Sequence, residues 1–241
     1  MLTVQKDVYS AFSHFLAGQL VDAYVKREAH NPGLDPAVDL LRKWNGQMDR
    51  NLAAPFLITL AYQHVRRAIA ENASTATGAP YEFNLAPVVV ERILRERPSG
   101  WFGDYNEMLL RALADAVEEA RRMQGRDPGN WRYGDYMRAT INNPVMHEIP
   151  WVGKYFDIGS VPMSGSSTTV KQTTRALAPS MRMNADLGSW DGSFLNIPIG
   201  QSGQILSSHY KDQWDDYYNA RSYPMQFSKV DAKSTVTFTP R

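Results

Sequence analysis

DYNEMLLRALADAVEEARRMQG, residues 104–125, is the stretch on which the fold turns. Leu109, Leu113, Val117 and Ala120 recur at three- and four-residue steps, which places them on one face of a helix. Asp104 followed by Glu107 opens that helix as a capping pair; Arg121 and Arg122 in the last turn, then Gly125, close it. Upstream the same period returns. Pro87 to Arg97 reads as a helix ended by Pro98 and Gly100. Leu52 to Asn72 reads as a longer one, with Leu57, Leu60, Ala61, His64, Val65 and Ile69 as its stripe and Pro55 tolerated near its first turn. A short segment through Val38, Leu40 and Leu41 precedes it, and Val8, Phe12, Phe15, Leu16, Leu20 and Tyr24 mark an amphipathic helix that stops at Asn31-Pro32-Gly33.

Downstream of Gly125 the helical period vanishes. Gly, Ser, Thr and Pro punctuate strand-length apolar runs at Ile149 to Phe156, Met181 to Leu187, Phe194 to Ile199 and Val236 to Phe238. Between them Ser164-Gly-Ser-Ser-Thr-Thr169 is a loop by composition, and His209 to Tyr218 suits one short helix. Helices first and strands later predict an α+β chain, mainly helical over 1–125 and strand-rich over 126–241.

The 241 residues balance 26 basic against 25 acidic side chains, a net charge of +1. Such a balance provides no field to gather a phosphate backbone or anionic lipid, so neither nucleic acid nor a membrane is an expected partner. No run of about 18 apolar residues is present, and the start MLTVQKDVYSAF carries no export signal. The absence of cysteine excludes disulfides, thiolate catalysis and zinc–thiolate or iron–sulfur ligation.

A search for catalytic chemistry ends in near misses. Gly200-Gln201-Ser202-Gly203 approaches a nucleophile elbow, but its second glycine arrives one residue early and Gln204 takes its place. Ser-x-x-Lys is missing too, since Thr168 stands three residues before Lys171. His14, His30, His64, His147 and His209 form no i, i+4 pair for a metal, and no metal or cofactor is expected. His64 reads as a hydrogen-bonded core histidine, and Asp212 is placed to hold the His209 ring. A self-contained serine hydrolase built on Ser202 with His209 and Asp212 stands as a test case only. Glu118-Glu119 and Asp215-Asp216 point in different directions on helices and read as solvated faces. Asn142-Asn143 before Pro144 reads as a turn.

Several short motifs in fixed order carry more. Gly165-Ser-Ser-Thr-Thr-Val170, Ala178-Pro-Ser-Met-Arg-Met183 with Asp186, Gly200-Gln-Ser-Gly203, Ser208-His-Tyr-Lys-Asp-Gln213 with Trp214, and Pro224-Met-Gln-Phe227 together resemble the C-terminal end of the penicillin amidase (penicillin acylase) family of N-terminal-nucleophile hydrolases. Leu40-Leu-Arg-Lys-Trp-Asn-Gly46, Leu60-Ala-Tyr62 and Trp131-Arg-Tyr-Gly134 resemble the helical middle of the same polypeptide, so the likeness covers essentially the whole chain.

The resemblance implies the C-terminal portion of an αββα sandwich, from a precursor that cleaves itself to expose a serine. In such enzymes that hydroxyl attacks an amide while its own α-amine, titrating near 8 rather than near 10 as a lysine does, accepts the proton. The matching region begins after the family's nucleophile, oxyanion asparagine and calcium carboxylates, so the resemblance assigns this chain no catalytic residue and no metal. Cleavage at Gly159-Ser160 or Gly165-Ser166 would expose a serine but leave fewer than about ninety residues behind it, with no oxyanion scaffold.

What the resemblance implies is therefore part of an acylase acting on the amide of penicillin, an acyl-homoserine lactone or a related compound. Its partner would be an upstream segment or companion chain bearing the N-terminal serine. The alternative is a non-catalytic module, derived from such an acylase, that binds a ligand or protein. Arg182, Asp186, Gly200, Gln201, Ser202, Gly203, His209 and Asp212 are expected to give structural support. Arg182 and Asp186 should share one buried strand face, and Gly200 and Gly203 should adopt φ values closed to other residues. Strands separated from upstream neighbours should leave edges that promote self-association. Compartment follows the complete polypeptide: periplasmic or secreted with a signal peptide, cytoplasmic without one.

Overall fold

A computed structural model describes residues 2–27, 31–74, 85–175, 178–232 and 235–239. The backbone begins with a short helix, α1 (Leu2–Gln5). Ser10 then caps α2 (Ala11–Val25), its hydroxyl accepting from the Ser13 amide. Val8 therefore lies outside the helix, next to a bridge in which Tyr9 pairs with Gln47. Asn31 turns the chain by accepting from the Gly33 amide, and α3 (Asp35–Lys43) follows. Next come α4 (Ala54–Ala73), α5 (Pro87–Glu96) and α6 (Tyr105–Gln124). Arg97 ends α5 in the left-handed region at φ 44°, and its guanidinium hydrogen-bonds Asn106 and Gln19, offsetting the strain of about 1 kcal/mol.

Helix α6 has the ends its sequence requires. Asp104 accepts from the amides of Asn106 (2.7 Å) and Glu107 (3.3 Å), and Gly125 leaves at φ 90°. The long pair α4 and α6 pack together, and α2 lies against both. Leu16, Leu20, Phe56, Leu57, Leu60, Ile69, Leu109 and Leu113 are fully buried, each contributing about 1.5–3 kcal/mol of transfer free energy. Ala112, Ala116 and Ala120 occupy one buried line of α6, and such small side chains let helices approach closely.

Two compact units divide the chain, Asp7–Ala178 and Met1–Lys6 with Pro179–Arg241. Within the first, α7 (Tyr133–Tyr136) leads into β1 (Arg138–Ile141), which pairs antiparallel with β2 (Gly159–Pro162), Arg138 opposite Pro162. The run Ile149 to Phe156 between them is not a strand. Asn143 Oδ1 accepts from the Val145 and Met146 amides, starting two 3₁₀ turns, Met146–Glu148 and Gly153–Tyr155, with Pro150 and Gly153 preventing extension.

In the second unit β3 (Arg182–Asn184), β4 (Phe194–Asn196) and β5 (Tyr223–Pro224) form an antiparallel sheet in that order. α8 (Trp214–Tyr218) is shorter than the expected span, since residues 209–213 are turns. Val236 to Phe238 pairs with no strand among the described residues and is exposed. The long helices end at Gln124 and the strands begin at Arg138. No helix among the described residues is long and apolar enough to cross a membrane.

Asp104→Ala removes the acceptor for two amides and should lower stability by about 1 kcal/mol, while Asp104→Asn retains most of it. Thermal melts of both variants check this; equal melting would show that the cap is immaterial.

Candidate functional site

Among the described residues, most of the buried serines and threonines of the first unit lie in one segment. Gly165 sits at φ 103°, and a Cβ there would stand 2.2 Å from the Lys171 carbonyl, so only glycine fits. Its amide donates to the Met48 carbonyl at 2.8 Å, and its own carbonyl accepts from the buried Tyr133 hydroxyl at 2.8 Å. Burial also pushes the Tyr133 phenol well above its usual range, so it stays protonated and a donor. The Ser164–Thr169 loop is thereby drawn inside: Ser164, Ser166, Thr169 and Thr173 are all buried. Ser10 bonds Thr168 (2.7 Å) and Ser13 (2.9 Å), and Ser166 bonds Thr168 (3.0 Å).

Beside this network a cavity of about 200 Å³ opens between α2, α4, α7 and the segment ending at Arg175. Phe12 packs edge-on to Tyr62 at 4.9 Å, and Gln63 donates to the Tyr136 hydroxyl at 2.8 Å. Arg66 lies over the Tyr62 ring at 5.6 Å and Arg175 over Tyr136 at 5.1 Å. Burial raises the Tyr62 phenol, and the neighbouring Arg66 partly opposes that shift. The Ser13, Thr59, Ser166, Thr168 and Thr173 hydroxyls of its lining are engaged with neighbouring hydroxyls or with the backbone.

The residues expected from sequence fall in the second unit. Arg182 is buried: one guanidinium nitrogen donates to the Tyr217 carbonyl, and the group lies 4.2 Å from the Tyr217 ring. Loss of hydration lowers its pKa, with Tyr217 opposing. Asn196 faces it across β3 and β4, and Gln213 Oε1 accepts from the Ile197 amide (3.1 Å) and from Asn196 Nδ2 (3.3 Å). Gln213 thus ties α8 to β4, a role the sequence reading did not single out.

Asp186 does not share the Arg182 face. The strand ends at Asn184, and Asp186 is exposed, accepting from the Gly188 and Ser189 amides as a turn residue does. Gly200 and Gly203 also differ from expectation, neither having a positive φ. Gly200 is required by close approach, since a Cβ would lie 2.1 Å from the His209 carbonyl; Gly203 has open space around it. Gln201 is exposed.

The Ser202 amide donates to the His209 carbonyl at 3.1 Å, while its hydroxyl accepts from the Gln204 amide at 3.1 Å. His209 Nδ1 and Asp212 Oδ2 lie 2.8 Å apart on an exposed turn. Ser202 and His209 therefore meet through backbone atoms, and the geometry assembles no serine–histidine–aspartate relay.

Two carboxylates read as solvated are engaged. Glu119 bonds His64 Nε2 at 2.8 Å between α6 and α4. Asp216 is held below the usual carboxylate range, first by the Tyr223 hydroxyl and then by Arg221. Tyr223, whose hydroxyl also lies 3.2 Å from the Asp212 carbonyl, is pushed up to about 12, chiefly by that carboxylate. His147 Nδ1 lies 2.7 Å from Asp157 Oδ2, and Asn142 Nδ2 lies 3.1 Å from His147 Nε2. His30 lies outside the described residues.

Comparison with known proteins supplies what the geometry lacks. A family model described as penicillin amidase matches residues 1–234. The acyl-homoserine lactone acylase QuiP of Pseudomonas aeruginosa is 27% identical over 161 residues, covering 57% of this chain and 19% of that protein. QuiP of Pseudomonas putida is 27% identical over 150 residues, covering 57% and 18%. The structure of a thermostable penicillin G acylase from Alcaligenes faecalis aligns with 98% of this chain and 48% of its own, at 14% identity and a TM-score of 0.53. The mixed helix and strand fold is thus similar to that of part of this penicillin G acylase. The chain spans about a fifth of the length of the curated relatives it matches.

The Asp216 pair gives a signed pH dependence. A lowered carboxyl pKa stabilises the fold above the unfolded value near 4 and loses that contribution as pH falls through the lower folded value. Tyr223 stabilises below about pH 10 and loses its contribution as pH rises toward about 12. Tyr223→Phe should move the Asp216 titration back toward the ordinary carboxylate range, read by carboxyl NMR; an unmoved titration contradicts the pairing.

Proposed function

The chain belongs to the penicillin amidase family, and from that premise we propose that it is the C-terminal portion of an acylase that hydrolyses the amide between an acyl group and an amine. The observation that carries this reading is coverage: the family match runs over 1–234, yet the chain aligns with only 48% of a penicillin acylase chain. The described residues offer helices, small sheets and a cavity, and of the relay weighed from spacing the Ser202 hydroxyl accepts from the Gln204 amide while His209 pairs with Asp212.

In this proposal a companion segment contributes the N-terminal serine. Its hydroxyl attacks the acyl carbonyl, its α-amine takes the proton and returns it to the leaving amine, and water then releases the carboxylic acid. The companion also supplies the oxyanion donors. The role of this chain is support, with Arg182, Gly200, Ser202, His209, Asp212 and Gln213 bracing the second unit rather than touching substrate. Exposed apolar side chains support further covering polypeptide: Trp151 is 87% exposed, Leu187 80% and Leu206 86%. The QuiP relatives make a fatty-acyl homoserine lactone one substrate class to assay, and the family name makes an acylated β-lactam another.

The 241-residue chain alone should show no amide turnover and should self-associate in size-exclusion chromatography with light scattering. Co-expression with the upstream polypeptide should give a complex whose companion begins with serine by intact-mass and N-terminal sequencing, and which hydrolyses a chromogenic amide. Steady turnover by the isolated chain, abolished in Ser202→Ala, would overturn the proposal. A folded monomer that neither turns over nor accepts a companion would favour the non-catalytic module.

A further inference from the structure

Between β1 and β2 the chain makes a bracket, residues 142–158, that is pinned from within. His147 Nδ1 lies 2.7 Å from Asp157 Oδ2, and Asp157 Oδ1 accepts from the Asn143 amide at 2.7 Å. The two 3₁₀ turns pack on each other, and a Cβ at Gly153 would stand 2.8 Å from His147 Cα. Around this rigid frame the apolar side chains face water: Trp151 is 87% exposed, Val145 66% and Ile149 42%, with Val152 exposed beside them. Trp151 also holds φ 71°, the left-handed region that a bulky side chain avoids. The fold bears strain at a tryptophan and still leaves its ring in water, the pattern of a side chain set in place for a contact outside its own chain.

Charge says what that contact is. Glu148 and Lys154 stand three residues before and three after Trp151, and both are exposed. Neither has an ion-pair partner among the described residues; the Lys154 ammonium lies 5.2 Å from the centre of the Tyr155 ring. The bracket's other charged groups, His147 and Asp157, are engaged with each other. One acid and one base flanking an apolar centre make a self-complementary surface, because a twofold axis brings the base of one copy to the acid of the other. We infer that this bracket is a dimerisation surface whose occupant is a second copy of the chain, with Trp151 against Trp151 at the centre and Lys154 of each copy facing Glu148 of the other at the rim. An acidic or a basic peptide would leave one of the two charges facing its like, and an anionic membrane would repel Glu148. The inference needs neither the companion segment nor turnover, so it stands apart from the acylase proposal.

Sedimentation velocity of the 241-residue chain over a concentration series should show a monomer–dimer equilibrium. Trp151→Gly removes the ring and suits the left-handed backbone, so it should weaken dimerisation about thirtyfold or more, the loss of a central aromatic anchor. Its melt, at a concentration where parent and variant are both monomeric, should not fall. Lys154→Glu and Glu148→Lys should each weaken dimerisation about tenfold by setting like charges opposite one another. The double variant, with both charges exchanged, should dimerise as the parent does, a rescue that a merely structural role would not give. The charge exchange keeps the test decisive if Trp151→Gly fails to fold. A parent chain that stays monomeric, association unchanged in Trp151→Gly, a double variant as weak as the single ones, or a monomer that instead binds phosphatidylcholine vesicles through Trp151 each overturns the inference.

Discussion

The buried hydrogen bond from the Tyr133 hydroxyl to the Gly165 carbonyl decides what the first unit can present. It fixes a loop of serine and threonine among helices that would otherwise need only apolar neighbours. Leaving either group without its partner in that interior costs about 1–3 kcal/mol, enough to make the loop's position a strong preference. Once Gly165 is anchored to Met48 on one side and Tyr133 on the other, Ser166, Thr168 and Thr169 saturate each other and the backbone. Polar side chains then become part of the core, and the cavity beside them inherits both aromatic walls and hydroxyls.

Charge follows a parallel logic in the second unit. Arg182 keeps its guanidinium in a site where water is largely excluded, balanced by the ring and carbonyl of Tyr217 rather than by a carboxylate. Removing the charge's surroundings is therefore worse than removing the charge, since an uncompensated buried ion costs several kcal/mol. The flanking motif residues make sense in that light. Gly200 lets the loop lie on the His209 carbonyl, and Gln213 pins β4 to the start of α8, keeping Tyr217 under the guanidinium.

The sequence announced the helical half well because amphipathic periodicity and end signals are local. Asp104, Gly125 and Pro55 marked boundaries that the backbone respects within a residue or two. It announced the later half poorly because apolar runs there serve contacts set by distant residues. Ile149 to Phe156 has a strand's composition, but Asn143 and Pro150 curl it, while β1 and β2, too short to stand out, pair across the insertion. Asp186 sat at the right spacing for a strand that stops two residues earlier. The cavity was least legible: Phe12, Tyr62, Tyr136 and Arg175 are far apart in sequence, and only the order of motifs around Gly165 hinted that a polar loop mattered.

Family membership and local geometry bear on different parts of the molecule. The motif order that identifies the family lies mostly in the strand-rich half, where Gly200, Ser202 and His209 meet through backbone contacts that any ligand would leave untouched. The cavity lies where α2 and α4 meet the Gly165 loop, with Arg175 exposed at its rim. A residue required by the backbone is constrained whatever the protein binds, whereas an exposed arginine held over a tyrosine at a cavity mouth has no folding task that glutamine would fail. Substitution at the exposed Arg175 therefore leaves the scaffold intact, whereas Gly165, pressed against the Lys171 carbonyl, and the buried Arg182 are fixed by the fold itself.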